Sequence, residues 1–591
     1  MKLDNKIAAA LLNLAKKNNV IVFILFVFLA LCYGYYSSID MGIPPDEFAH
    51  MGYIYDVVKN GFPNYSAGFI YETDKYNYLP HPALYYFITG NIAKLYHLFD
   101  VYSTRPLRII NILTSMGTLL VIYAALNKMG IRKSSIFLAL IILLCIPMFI
   151  LLSASINNDT LMIFGCALVT YSLVLYYYHA TTRKVIGYLL LGCVITALSK
   201  ATGALSMVCM ISVFIIIQNV KLKKFIFNLK ILDFFLIIFS ISCVAIYFLI
   251  VYKHFGKLFP APQGDPSDWF LVMNPNYPRY TLYEHLIAFY QSNMTTLLSP
   301  YGHGYIEDLQ IRRILLGITL ATSPILIIAS LYKESYKCSP KWKLLTIFIS
   351  SFIIFAIFYF HTVRSMNLRT GYTGAMQARY FFGFLPALVI VYAILIEKIT
   401  INTLRTPLII FLISLLAFSF YPSYSSLRQE FYGQSLSNTT SGELTKDREF
   451  RQNFVAKYNK INKVQLLFGT YQNKNNSTGE VSLKIVDSQN HTLTQKDIKL
   501  SDITDNTWVS FDFVTTPLTV GQTYRLVLTS SNIAPGNAVT WWALKPQIIN
   551  PQFVGTHYGP HEDPIQLYQD GQAYIDGQPV QKSFSFKIYH N

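Results

Sequence analysis

The sequence predicts a polytopic α-helical membrane protein with about eleven transmembrane helices, followed by a C-terminal β-sandwich. Hydrophobic residues make up 53% of the 591 residues and charged residues only 13%, against about 25% in soluble proteins. After about Ser425, long apolar runs give way to short stretches in which apolar residues alternate with polar ones. This composition excludes a soluble cytosolic enzyme. An aromatic content of 15% also excludes a disordered chain.

Eleven apolar runs are long enough to cross a bilayer core about 30 Å thick, which takes about 20 helical residues. The first run is long, lacks a small-residue cleavage site and is followed by further spans, so we do not expect a cleaved signal peptide. The runs begin near Val20, Leu107, Ser135, Thr160, Val185, Ala204, Ile231, Arg313, Leu344, Arg379 and Thr406.

Lysine and arginine are concentrated in the N-terminal tail and in the even-numbered connections. The positive-inside rule therefore predicts a cytoplasmic N-terminus and extracytoplasmic loops 38–106 and 253–312. The same rule explains the net charge of +17 without a nucleic-acid partner. We accordingly predict a membrane domain at 1–424 and an extracytoplasmic β-sandwich at 425–591.

The C-terminal region alternates apolar and polar residues with a period of two, which is typical of half-buried strands. Turn residues such as Asp576-Gly577 separate these stretches, and several short strands at this spacing favour a β-sandwich. None of the seven cysteines falls in a predicted outer segment, so neither a disulfide framework nor a thiolate metal site is expected.

The strongest local signal is Pro44-Pro45-Asp46-Glu47, which lies just beyond the first span on the predicted outer side. Proline followed by acidic residues is typical of a helix start, where the acids complement the helix dipole. Alternatively, Asp46 is a general base at the membrane surface. On a helix Asp46 and His50 share one face, and Glu47 points about 100° away.

Further polar residues lie at the predicted outer ends of spans. Asn157-Asn158-Asp159 separates the third and fourth spans and either caps a helix or serves a functional site. Lys200 and Arg379 are cations on the side that is poor in them. They either extend toward lipid headgroups or bind an anionic ligand such as a phosphate carried by a lipid.

Aromatic residues are dense in the first outer loop, where tyrosines such as Tyr85 serve either as an interfacial belt or as a saccharide-binding surface. His50 and His81 share this loop with the acids, so a metal site stays open, although no close-spaced ligand pair is present. The sequence contains no phosphate-binding glycine loop, which argues against an ATP-driven machine.

Taken together, these motifs resemble the GT-C superfamily of membrane glycosyltransferases over roughly residues 20–420. The resemblance rests on the acidic pair, Asn-Asp after the third span, a lysine turn after the fifth, and Gln377-Ala378-Arg379-Tyr380. Pro44-Pro45-Asp46-Glu47 with His50 looks most like the bacterial multi-pass family numbered 2142 of the domain-of-unknown-function series. His81-Pro82-Ala83-Leu84-Tyr85-Tyr86 is similar to a His/Gln-Pro-Pro-Leu-Tyr-Tyr stretch of such enzymes, but Ala83 replaces the second proline.

The resemblance implies transfer of a sugar from a polyprenyl-phosphate-linked donor to a glycan, lipid or protein acceptor. Transfer would take place on the extracytoplasmic face of the bacterial cytoplasmic (inner) membrane. Asp46 would be the base, and Glu47 would orient it or support acceptor binding. Substrate-binding residues implied by the resemblance are His50, His81, Tyr85, Asn158, Asp159, Lys200, Gln377, Arg379 and Tyr380. No cofactor is specified, and participation of a divalent cation stays open.

Three other functions remain open at this point. A transporter or flippase for lipid-linked sugars would place polar groups in mid-membrane, often in broken helices, whereas the motifs here lie at span ends. A polymerase or ligase that uses lipid-pyrophosphate donors is a closely related possibility. A membrane-anchored glycan-binding protein would use the outer sandwich, in which Trp508, Trp541 and Trp542 are either ligand-binding or core residues.

Overall fold

A computed structural model provides the fold and confirms the predicted class: apolar helices followed by an all-β region of antiparallel sheets. The described residues form two compact units, which lie within 20–398 and 431–589. The predicted boundary at 424/425 lies outside them and stays a prediction. The structure describes residues 20–39, 46–63, 81–96, 98, 105–227, 229–258, 279–298, 339–371, 375–398, 431–434, 439–470, 479–503, 505, 507–531, 533, 538–544 and 571–589.

The first unit is helical throughout its described part. Short 3-10 helices at Arg105–Leu107 and Ala378–Phe384 lead into the fourth and the last helix. The helices are α1 (Val20–Ser38), α2 (Glu47–Asn60), α3 (Leu84–Leu95), α4 (Arg108–Lys128), α5 (Lys133–Leu144), α6 (Pro147–Ser153), α7 (Asp159–Tyr177), α8 (Thr182–Ala197), α9 (Ala201–Phe227), α10 (Ile231–Phe255), α11 (Leu282–Leu298), α12 (Pro340–Thr370) and α13 (Leu385–Lys398).

Seven helical segments in the described part of the chain are long and apolar enough to span a membrane. They correspond to the predicted runs that begin near Val20, Leu107, Thr160, Ala204, Ile231, Leu344 and Arg379. The predicted fifth run corresponds to α8, whose 16 residues are fewer than those of any of these seven segments. The predicted runs near Arg313 and Thr406 lie outside the described residues, so the total of eleven stays a prediction.

The predicted third span is broken. Its two halves, α5 and α6, meet at an angle of 76° around Cys145–Ile146. Pro147 stands at the first position of α6, where a proline lacks the amide hydrogen that a continuous helix would need. The apolar run predicted from Ser135 is therefore bent in the structure, and the break brings the end of α6 next to α4.

Two glycines allow α7 and α8 to pack closely. A Cβ added at Gly192 would lie 2.7 Å from the Gly165 carbonyl oxygen and 2.8 Å from the Val169 amide nitrogen. Small residues at such a crossing let two membrane helices approach each other at backbone distance. This contact fixes the start of α7, which carries Asp159, against the end of α8, which leads to Lys200.

The second unit consists of two antiparallel sheets around one apolar core. Trp541 is fully buried and stacks on Phe584 with ring centroids 4.4 Å apart, so this tryptophan belongs to the core. The strands are β1 (Phe431–Gln434), β2 (Thr439–Thr440), β3 (Glu449–Val455), β4 (Lys460–Gly469), β5 (Glu480–Val486), β6 (Thr492–Lys499), β7 (Thr507–Pro517), β8 (Thr523–Ser531), β9 (Thr540–Leu544), β10 (Ala573–Ile575), β11 (Gln578–Val580), β12 (Ser583–Phe584) and β13 (Phe586–Tyr589).

The strand order is β1-β13-β4-β9-β12 in one sheet, with β7 on β4 and β2 on β9, and β11-β10-β3-β8-β5-β6 in the other. Register keeps the apolar alternation on the inner faces, as in the pairing of Leu483 with Leu528. The predicted turn at Asp576-Gly577 joins β10 to β11, and both residues have positive φ as this type of hairpin requires.

Candidate active site

Asp46 stands immediately before α2 with backbone φ 60° and ψ 14°, the left-handed conformation that residues other than glycine rarely adopt. Its carbonyl oxygen accepts the amide hydrogen of His50 at 3.0 Å, which closes the first helical turn. Its side chain is 30% exposed, the most accessible of the charged groups described below. Unusual backbone conformations of this kind are concentrated at functional sites.

Glu47 points away from Asp46 into the protein. Its carboxylate accepts two hydrogen bonds from the Arg108 guanidinium, at 2.9 and 2.7 Å, and a third at 2.9 Å from the Ile156 amide. Arg108 also donates to the Ile39 carbonyl at 2.7 Å, and both side chains of the pair are fully buried. This ion pair joins the end of α1 and the starts of α2 and α4 to the turn before α7, so it fixes the backbone that carries Asp46.

Within the turn between α6 and α7, the three polar residues have separate partners. The Asn157 side-chain oxygen accepts the amides of Asp159 at 3.0 Å and Thr160 at 3.3 Å, so Asn157 caps α7. Asn158 donates to the Ser199 carbonyl at 2.9 Å and ties this turn to the one before Lys200. The Asp159 carboxylate is therefore not used for capping and is available to the cations beside it.

Two cations and two carboxylates, from four separate segments of the chain, form a cluster that is buried except for the partly exposed Asp46. The Lys200 ammonium donates to Asp159 Oδ1 at 2.6 Å. The Arg379 guanidinium hydrogen-bonds to Asp46 Oδ2, and its other terminal nitrogen lies 3.9 Å from Asp159 Oδ2. We call Asp46, Asp159, Lys200 and Arg379 the charge cluster; its formal charges balance.

The segment that carries Arg379 is fixed by α11 and by α12, whose Tyr359 hydroxyl donates to the Ala375 carbonyl at 2.6 Å. The Met376 carbonyl accepts the Ser292 hydroxyl, and the Ala378 amide donates to the Thr296 hydroxyl at 2.9 Å. Gln377 precedes the 3-10 helix, and its carbonyl accepts the Tyr380 amide. The Tyr380 ring lies beneath both cations, 5.3 Å from the Lys200 ammonium and 5.5 Å from the Arg379 guanidinium.

His50 and His81 lie beside the charge cluster. His50 Nδ1 is 2.8 Å from the Tyr86 hydroxyl, and the His81 carbonyl accepts the hydroxyls of Tyr53 and Tyr247. Burial lowers the pKa of His50 to about 3 and that of His81 to about 4, and the two nearby cations lower them further while the two carboxylates oppose the shift. Both imidazoles are therefore neutral at physiological pH.

The structure thus brings together Asp46, Asp159, Lys200, Arg379 and Tyr380, with His50 and His81 around them. Glu47 faces Arg108, and Tyr85 is 2% exposed with its ring edge against Tyr86, so neither side chain faces the cluster directly. The roles of all these residues in catalysis or substrate binding, and those of Asn158 and Gln377, stay predictions.

Three site residues were missed in the sequence. Arg108 lies at the start of an apolar run and resembles an ordinary cation flanking a membrane span. The only signal for a role in the site was its charge at the predicted outer end of that span. Tyr86 was one tyrosine among many, and Asn157 was not separated from its two polar neighbours. In the part of the chain that the structure describes, no three His, Cys, Asp or Glu side chains come together to hold a metal ion.

A family model described as dolichyl-phosphate-mannose-protein mannosyltransferase matches residues 80–244. This is less than a third of the chain. The segment contains Asp159 and Lys200 but neither Asp46 nor Arg379. No curated protein matched the sequence.

Among solved structures, the chain is similar to ArnT from Cupriavidus metallidurans. The form bound to undecaprenyl phosphate is 15% identical with a TM-score of 0.39, over 64% of this chain and 60% of that one. The apo form is 13% identical with a TM-score of 0.43, over 69% and 67%. Both scores are below 0.5, so this likeness alone assigns neither fold nor function.

Proposed function

We propose that this chain is a membrane glycosyltransferase that moves a sugar from a polyprenyl-phosphate-linked donor to an extracytoplasmic acceptor. The observation that carries the proposal is the charge cluster, in which two cations and an accessible carboxylate share one buried site. The match to a mannosyltransferase family model over 80–244 supports a glycosyltransferase of the GT-C superfamily in general. Membership in the family numbered 2142 stays a prediction.

In this proposal Arg379 and Lys200 bind the donor phosphate. A phosphodiester donor carries one negative charge on its phosphate, and the departing polyprenyl phosphate carries up to two. The cations therefore interact more strongly as the bond to the sugar breaks, which is the condition for catalysis. Asp159 holds Lys200 at 2.6 Å and positions its ammonium.

Asp46 is the proposed general base, because its carboxylate is 30% exposed whereas that of Asp159 is fully buried. Asp46 takes the proton of the acceptor hydroxyl as the hydroxyl oxygen bonds to the anomeric carbon. Glu47 is a positioning residue, since Arg108 and the Ile156 amide occupy its carboxylate. The neutral imidazoles of His50 and His81 keep further positive charge away from the base.

The test compares cell-envelope glycans in a strain that lacks the chain, complemented with the wild type or with Asp46→Asn. We expect the modification to disappear in the deletion strain and to stay about 100-fold or more reduced with Asp46→Asn, the usual effect of losing a general base. Asp56→Asn on α2 is the matched control, because Asp56 is another carboxylate of this region, accepts a bond from Asn60 and does not belong to the charge cluster. Normal glycans with Asp46→Asn at wild-type protein level would remove Asp46 as the base.

A further inference from the structure

Arg379, the proposed phosphate ligand, also contacts Asp46, the proposed general base. It is 4% exposed and its terminal nitrogens face Asp46 and Asp159. Asp159 contacts a second cation, Lys200, at 2.6 Å, and Arg379 hydrogen-bonds to Asp46. The carboxylate assigned as the base is therefore bound to the same guanidinium that is assigned to the phosphate.

We propose that Asp46 occupies the phosphate-binding edge of Arg379, and that the donor phosphate displaces it and so releases the base. This inference rests on the proposed function, because it takes Arg379 as a phosphate ligand and Asp46 as the base. It adds a coupling between them: the carboxylate becomes free to take a proton when a donor is bound.

The chemistry of the two anions favours this exchange. One edge of a guanidinium binds one carboxylate or one phosphate through its N–H donors, so a phosphate at the Arg379 edge that faces Asp46 competes with Asp46 for the same donors. Asp46 is 30% exposed, and water can solvate its carboxylate after displacement. Asp159 is fully buried and retains Lys200, so it is the poorer candidate for displacement.

The exchange also orders the reaction. Once the phosphate holds Arg379, the Asp46 carboxylate accepts the acceptor hydroxyl proton, the hydroxyl oxygen bonds to the anomeric carbon, and the carbon–oxygen bond to phosphate breaks with its electron pair on the phosphate. Asp46 then releases the proton to water, to which it is 30% exposed, and when polyprenyl phosphate leaves, Arg379 returns to the Asp46 carboxylate.

Competition between Asp46 and the donor phosphate for Arg379 predicts that loss of the Asp46 charge strengthens phosphate binding. Asp46→Asn, which abolishes the base, should bind a polyprenyl monophosphate about tenfold more tightly than the wild type, since the phosphate no longer displaces a charged carboxylate. The measurement uses the full chain in nanodiscs and titrates the polyprenyl monophosphate itself. Asp56→Asn removes a carboxylate charge from α2, the helix that Asp46 precedes, outside the charge cluster, and should change the affinity by less than about twofold.

A double-mutant cycle assigns the effect to Arg379. In an Arg379→Gln background, Asp46→Asn should leave the affinity unchanged. Equal or weaker binding by Asp46→Asn in the Arg379 background would overturn the exchange, even if the wild type binds the lipid. No binding by the wild type would instead contradict the proposed function, so the two failures are distinguishable.

A second measurement covers the case in which the variants fold poorly. A cryo-EM structure of the wild type with bound polyprenyl monophosphate should show the Arg379 guanidinium on the phosphate and its contact with Asp46 broken. Persistence of the Arg379–Asp46 hydrogen bond beside a bound phosphate would overturn the proposal.

Discussion

The two acids that follow α1 are adjacent in the sequence but have different environments. Asp46 is partly exposed and contacts Arg379, whereas Glu47 is fully buried against Arg108. Helical periodicity predicted that the two side chains point in different directions. The partners were not predictable, because Arg379 is 333 positions from Asp46 and Arg108 is 61 positions from Glu47.

The turn at Asn157–Asp159 divides its polar residues between helix capping and an ion pair. Capping and a functional role were alternatives for the motif as a whole. In the structure Asn157 caps α7, and Asp159 pairs with Lys200. The sequence contained both residue types, but the division of roles depends on Lys200, which only the packing of α8 against α7 brings near.

His50 provides a pH prediction. Its imidazole has a usual pKa of 6.5 when unfolded, and burial lowers this to about 3 in the protein. Between these values the unfolded chain binds more protons, so stability falls as pH falls below about 6.5, by at most about 1.4 kcal/mol per pH unit for this group. We expect the thermal midpoint of the purified protein to drop between pH 7 and pH 4, and to drop less with His50→Gln.

The control for this prediction is His179→Asn. His179 is exposed and has φ 53°, which asparagine tolerates. This variant should keep the full pH dependence of the wild type. An equally steep pH dependence with His50→Gln would show that His50 is not a buried neutral group.

At the scale of elements, the crossing of α7 and α8 sets the separation of Asp159 and Lys200. Both helices were expected from their apolar runs, but the contact between Gly165 and Gly192 was not, since neither glycine lies in a recognisable motif. The break at Pro147 is a comparable case. Proline signals a possible break in an apolar run, but the 76° angle is set by packing.

Gly192→Ala tests this crossing. The added methyl group would lie within 3 Å of the Gly165 carbonyl and the Val169 amide, and overpacking of this kind costs about 1–3 kcal/mol. We expect a lower thermal midpoint and reduced glycan transfer, because the Asp159–Lys200 pair is displaced.

Gly187→Ala on the same helix is the matched control, since a Cβ there would meet no atom within 4 Å. Gly187→Ala should leave glycan transfer unchanged and leave the thermal midpoint unchanged or slightly raised. Equal midpoints and transfer rates for Gly192→Ala and Gly187→Ala would show that the close crossing does not position the site.

At the scale of the whole molecule, composition and hydrophobic periodicity were sufficient to predict a helical membrane region and a C-terminal β region. Both regions could be predicted because the length of an apolar run reflects the surrounding lipid or water, and the spacing of apolar residues reflects the local secondary structure. The charge cluster depends instead on segments near residues 46, 159, 200 and 379 meeting in space. The sequence resemblance proposed those residues together, and no local pattern specifies the distances between them.

The second unit should fold without the first. Its core is built from its own strands, and Trp541 lies at its centre against Phe584. We expect a 425–591 fragment to give a β-type circular dichroism spectrum and one cooperative unfolding transition.

In that fragment, Trp541→Ala should lower the free energy of unfolding by about 3–5 kcal/mol. Trp542→Ala is the comparison, because Trp542 is only half-buried and should cost less. An unfolded wild-type fragment would show that the unit depends on the rest of the chain.

The proposed function depends most on whether the charge cluster binds a lipid phosphate. The most direct measurement is the affinity of the full chain in nanodiscs for a polyprenyl monophosphate, in the wild type, Arg379→Gln and the exposed control Arg369→Gln. We predict binding by the wild type, about tenfold or greater weakening with Arg379→Gln, as expected for loss of a hydrogen-bonded charge, and less than about twofold change with Arg369→Gln. A wild-type protein that does not bind the lipid, or equal affinity of the wild type and both variants, would contradict phosphate binding by the charge cluster.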